Sequence, residues 1–122
     1  MIERNDMKDR VFEQVAAIAR RTSDEGGLSL HDALIEARYR ELRPQLKVAA
    51  LAKWLDHHPA VVNDWLLFSD DKRTPGGYYL LSPERGGWVV GSIGGPERRF
   101  KTPSIAAAFY ILTELDFWAS LP

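Results

Sequence analysis

The stretch GSIGGPERRFKTPS, Gly91 to Ser104, decides how the second half of the chain folds. A phosphate loop of the P-loop class requires GxxxxGK followed by Ser or Thr, with a helix directly behind it, so that successive amides aim at the anion. That spacing is missing. Gly94-Gly95-Pro96 instead supplies the positive backbone dihedrals and the fixed proline angle of a tight reversal. Thr102-Pro103 supplies an ordinary helix start. The stretch therefore reads as a hairpin turn, a third strand and a helix cap.

Working outward, YYLL, WVVGSI and RRFK are short runs rich in aromatic or branched residues, separated by SPERGG and GGPE. They predict a three-stranded antiparallel meander, because each gap is too short for a parallel crossover. Downstream, a helix runs from Pro103 through Ile105, Ala108, Phe109, Leu112 and Leu115 to about Ala119. Upstream, SDDKRTPGG reads as a loop, and before it the apolar spacing turns helical. Asn5 or Asp6 caps a first helix reaching about Arg21. Ser29 and Asp32 make a capping box for a second, with Leu30, Ala33, Leu34 and Ala37 on one face. Pro44 opens a third, carrying Val48, Leu51, Trp54 and Leu55, and Pro59 opens a short fourth, carrying Val61, Val62, Trp65, Leu66 and Phe68.

Three strands cannot bury an apolar face alone, so they must lie against helices. The expected fold is α+β: N-terminal helices, then a three-stranded antiparallel meander with a C-terminal helix packed on the sheet. A single domain is expected over residues 1–122, helical over about 5–68 and sheet plus terminal helix over about 77–119. If Ile105, Ala108, Phe109, Leu112 and Leu115 face the sheet, the opposite stripe holds Ala106, Tyr110, Thr113, Glu114 and Phe117, with Trp118 at its edge. Those aromatics form either a surface patch awaiting a partner or core beneath the N-terminal helices.

Composition narrows the function classes. Hydrophobic residues make up 45% and charged residues 27%, as in ordinary globular chains. The formal net charge is −1, so no global field favours nucleic acid or anionic membrane. Cysteine is absent, which removes disulfides and thiolate chemistry and points to a reducing cytoplasm. The first residues, MIERNDMKDRVF, read as neither a signal peptide nor a membrane anchor, and no later run approaches the ~18 to 20 apolar residues of a membrane span.

Motifs for chemistry are equally sparse. His31, His57 and His58 do not place two imidazoles on one helix face at metal-binding spacing. Ser92 lacks a nucleophile elbow. Asp70-Asp71 stands beside Lys72-Arg73, which suits a solvated turn. No catalytic residue, metal or cofactor is expected. Six basic residues of the strand region (Lys72, Arg73, Arg85, Arg98, Arg99 and Lys101) face four acidic ones (Asp70, Asp71, Glu84 and Glu97), too small a surplus to neutralise many phosphates. Tyr78, Tyr79 and Trp88 could stack RNA bases, but aromatics on short strands ordinarily pack.

The segment GGYYLLSPERGGWVVGSIGGPERRFKTPSIAAAFYILTELDFW, Gly77 to Trp118 with the glycine before it, resembles the ending of small bacterial immunity proteins encoded beside polymorphic or contact-dependent toxins. The features that carry the resemblance are an aromatic first strand, a GWVVG-like second strand, a basic third strand and a helix, SIAAAFYILTELD here, that is similar to the form SxxxAxxFILxELD. The resemblance implies a non-enzymatic cytoplasmic inhibitor that binds and neutralises a cognate protein toxin, with a homodimer possible and no membrane association. The residues expected to meet the partner are Asp70, Asp71, Lys72, Arg73, Tyr79, Trp88, Arg98, Arg99, Tyr110 and Phe117. The aspartates suit a basic toxin surface and the arginines an acidic one. The alternative is a nucleic-acid-associated regulator of phage or plasmid origin, using the basic strand edge or a helix-turn-helix within residues 28–68.

Overall fold

A computed structural model describes residues 2–23, 27–71, 76–83, 87–92 and 94–121, with side chains from Asp9 onward. The predicted α+β architecture is present: helices first, then a three-stranded antiparallel sheet, then a long terminal helix against it.

The N-terminal helices are more broken than the periodicity suggests. Helix α1 spans Ile2–Ala16, starting ahead of the expected cap at Asn5 or Asp6, and α2 (Ile18–Arg21) follows after a break at Ala17. Together they bury Val11, Phe12, Val15, Ile18 and Ala19. The hydroxyl of Thr22 then donates to the Ala19 carbonyl at 3.1 Å, satisfying one of the carbonyls a helix end leaves open. Helix α3 (Leu30–Glu36) begins as expected, with Ser29 Oγ accepting from the Asp32 amide at 3.1 Å. It stops short because Arg38 adopts a left-handed conformation, φ 56°, before α4 (Tyr39–Leu42).

Pro44 does not open the third long helix. It sits in a 3-10 turn, Arg43–Gln45, after which Leu46 turns extended and plunges into the core. Helix α5 (Val48–Asp56) starts only then, from Lys47. Burying Leu46 outweighs the helix continuity that a proline in the first turn would allow. Helix α6 (Pro59–Asp70) does open on its proline, and it runs through Ser69 and Asp70, which the sequence placed in a loop. Trp65 is its anchor: fully buried, with the indole N–H donating to the Ala16 carbonyl at 3.1 Å.

Strands β1 (Tyr78–Leu81), β2 (Trp88–Ser92) and β3 (Glu97–Phe100) form a sheet in chain order. Between β2 and β3 the expected reversal is present: Gly94 takes φ 76°, and the Gly95 amide donates to the Ser92 carbonyl at 2.9 Å. Helix α7 (Pro103–Ala119) begins at Thr102, whose side chain makes no capping bond. It packs on α5 and α6 as well as on all three strands. Both stripes of α7 are therefore buried: Ala108, Leu112 and Leu115 on one side, Ala106, Tyr110 and Glu114 on the other. A helix apolar almost all round is a core helix, and α7 is the central element of the fold. Ile105, expected toward the sheet, is instead exposed near its start.

Candidate functional site

Pairing register fixes the two faces of the sheet. Leu80 pairs with Val90, and Val90 with Arg98; Trp88 pairs with Phe100. Leu80 and Val90 belong to the main core, so this face looks toward α7. The alternate residues form two rows on the opposite face, Tyr79–Gly91–Glu97 and Leu81–Val89–Arg99. Among the described elements, only α6 and α7 pack substantially on the sheet, α6 against β1. The outer face thus keeps Leu81 46% exposed, with Glu97 and Arg99 exposed beside it.

Tyr79 is fixed on this face by its neighbours. Its phenol donates to Glu97 Oε1 at 2.8 Å, spanning β2 where that strand carries Gly91. A Cβ at Gly91 would stand 2.5 Å from the phenol oxygen and 2.7 Å from Cζ, so the ring lies in the space a side chain would occupy. The hydrogen bond to Glu97 is the main cause that raises the Tyr79 phenol above its ordinary pKa, with small contributions from burial and from the carboxylate charge. A ring with a polar tip, next to a row that carries an aliphatic and a guanidinium group, has the composition enriched at protein interfaces.

The opposite rim of β3 carries a second aromatic group. The Arg98 guanidinium lies 4.9 Å from the ring centre of Phe109 and 5.9 Å from that of Phe100, and these two rings are 5.2 Å apart. Trp88, half-buried, is paired with Phe100 in the register.

The expected contact residues consequently divide. Tyr79 and Arg99 share the outer face, while Trp88 and Arg98 lie at the rim of the inner one. Asp70 ends α6 and Asp71 follows it, both exposed. Lys72 and Arg73 lie outside the described residues. Phe117 is half-buried, edge-on to Tyr78 and Trp118. Tyr110 is the correction: at 0% exposure it is core, packed edge-on to Trp65, because α5 and α6 cover the side of α7 that was left open as a patch. Burial pushes its phenol pKa well up, the Glu114 charge adds to this, and Ser69 acts in the opposite direction.

Two features escaped the sequence. The first is Glu114, fully buried, whose Oε1 accepts the Tyr78 amide at 2.8 Å. Beside it, Ser69 Oγ accepts from the Leu80 amide at 2.8 Å and donates to the Leu80 carbonyl at 3.2 Å. These side chains seal the β1 edge as a fourth strand would. The second is a cleft of about 460 Å3 between α3, α4 and the end of α7, lined by Ile35, Arg38, Tyr39, Trp118 and Leu121 among others. Behind it Asp116 accepts from Tyr39 at 2.7 Å and from Arg43 Nε at 2.8 Å.

Among the described residues, no group of three or more His, Asp or Glu side chains could hold a metal ion, and no helix is long and apolar enough to cross a membrane. Comparison with protein-family models, with curated proteins and with solved structures finds no match to the chain.

Proposed function

We propose that this protein is a binding protein that neutralises a cognate bacterial toxin by covering the toxin's working surface, without catalysing a reaction itself. The observation that supports the reading is the outer sheet face, where Tyr79 is held across Gly91 by Glu97, beside the row that carries exposed Leu81 and Arg99. Aromatic and arginine side chains supply most of the energy at specific interfaces, and a ring already fixed in place loses little entropy on docking. The resemblance of residues 77–118 to the endings of small immunity proteins supplies the class of partner.

Co-expression with the product of the adjacent gene tests this. The expected result is a complex that survives purification and restores growth to cells making that product. Absence of both complex and rescue removes the proposal. Binding to DNA or RNA at low salt that weakens steeply as salt rises, in place of the complex, replaces it with the nucleic-acid reading.

A further inference from the structure

The cleft between α3, α4 and the end of α7 combines an apolar lining with an excess of cations. Ile35, Trp118 and Leu121 line it, and Ile35 and Leu121 are exposed large aliphatic side chains. Arg38, Arg40 and Glu41 join them, so with His31 neutral two cations stand against one carboxylate. Arg38 pairs with Glu41, and Arg40 donates to the Ala119 carbonyl. A guanidinium carries five N–H donors, so these bonds do not exhaust either group. Arg38 is also the one non-glycine residue with positive φ among the described residues, at φ 56° and ψ 44°. Side chains ordinarily avoid that conformation, and such outliers gather where ligands are held. Here it sits at the junction of the two helices that line the cleft. Behind them the Tyr39 phenol donates to Asp116, which Arg43 also holds, so α4 is fastened to α7 and the cleft is preformed.

We infer that this cleft binds a small organic carboxylate with an aromatic or branched apolar body, the body lying against Ile35, Trp118 and Leu121 and the carboxylate taking N–H groups of Arg38 and Arg40. The site is distinct from the outer sheet face and does not rest on the toxin reading. Its volume of about 460 Å3 falls within the range of about 300–1,000 Å3 typical of small-molecule pockets, which pair a mainly apolar lining with a few polar groups that fix orientation. Charge selects the head group. A carboxylate accepts two parallel bonds from a guanidinium, whereas an uncharged amide forgoes the charge-assisted part and an amine is repelled. The apolar body is needed as well, because an arginine contact in open solvent contributes little by itself.

The test titrates 2-naphthoate, its uncharged counterpart 2-naphthamide and plain acetate into the 15N-labelled protein. Naphthoate is expected to shift the amides of residues 35–41 and the indole N–H of Trp118 saturably, and to bind at least about tenfold more tightly than naphthamide or acetate. Arg40→Gln should weaken naphthoate and leave naphthamide unchanged. Arg38→Gly should weaken naphthoate too, yet melt close to the parent, because glycine adopts the left-handed conformation without strain. Glu41→Gln supplies the gain that misfolding cannot imitate: it removes the opposing carboxylate and should tighten naphthoate severalfold. The inference is overturned if naphthoate leaves these signals unmoved, if its shifts map to the outer sheet face, or if naphthamide or acetate binds as well. Weaker or unchanged binding in Glu41→Gln overturns it as well. Sedimentation showing a dimer whose formation shifts the same amides without ligand also overturns it, in favour of a second copy of the chain in the cleft.

Discussion

Gly91 has its role because of what lies above it: the Tyr79 ring needs the space of a missing side chain to reach Glu97. In Gly91→Ala the ring is displaced and the phenol loses its acceptor, while the alanine recovers part of the entropy that a strand glycine costs. The net change in stability is expected to stay within about 1 kcal/mol. The sensitive readout is the Tyr79 titration, which should fall back toward the ordinary tyrosine value of about 10; an unchanged titration contradicts the assignment. Tyr110 makes a second prediction. Its hydroxyl is buried beside Ser69 and Glu114 without meeting hydrogen-bond geometry, so Tyr110→Phe is expected to be neutral or stabilising at pH 7. Folded Tyr39 and Tyr110 hold their protons above the ordinary range, chiefly through burial, whereas the unfolded chain releases them near pH 10. The unfolded state then binds fewer protons, so stability is complete below about pH 10 and declines as pH rises beyond it. Denaturant melts across that range should show a shallower decline for Tyr110→Phe; an identical slope contradicts the burial account. Tyr110 was legible from sequence only as an aromatic on one stripe of a helix, because the choice between core and surface depends on which neighbours cover that stripe.

At the scale of elements, the best-read features were those with local causes. Glycine and proline placed the β2–β3 turn and the starts of α6 and α7, and short runs of aromatic or branched residues between turn residues placed all three strands, because backbone dihedrals and strand preference are properties of a few neighbouring residues. The breaks at Ala17 and Arg38 and the late start of α5 were not legible, since each yields to distant packing such as the burial of Leu46. The β1 edge seal was hidden for a similar reason: Ser69 and Glu114 are far from β1 in sequence, and only the fold brings them to its amides. Removing either acceptor leaves an amide without a partner in a largely buried setting, at a cost of roughly 1–3 kcal/mol. Ser69→Ala should accelerate hydrogen exchange at Leu80 and Glu114→Ala at Tyr78, each with less effect on the inward-pointing neighbours. Uniform acceleration throughout the sheet would mean global destabilisation instead of an edge opened locally.

For the whole molecule, α7 is the shared element of one core, packed on α5, α6 and all three strands, while α6 also meets β1 directly. Trp65 and Tyr110 meet in that core, and Trp65→Ala is expected to cost about 3–5 kcal/mol in chemical denaturation, enough to unfold a marginal domain. With the interior occupied in this way, the surface proposed for recognition is the outside of the sheet, where only Tyr79 and Arg99 of the eight described contact candidates sit and from which Trp88 and Arg98 are turned to the opposite rim. Asp70, Asp71 and Phe117 lie elsewhere, and Tyr110 is internal. The decisive measurement is growth rescue in cells producing the adjacent gene's product, the proposed toxin, comparing Tyr79→Ala and Arg99→Glu with Ile35→Lys and Leu121→Lys in the cleft at the far end of α7. The account predicts that the two sheet substitutions abolish rescue while the proteins melt as the parent does, and that the two cleft substitutions leave rescue intact. Full rescue by the sheet variants, with loss of rescue in folded cleft variants, would place recognition at the cleft and contradict the account.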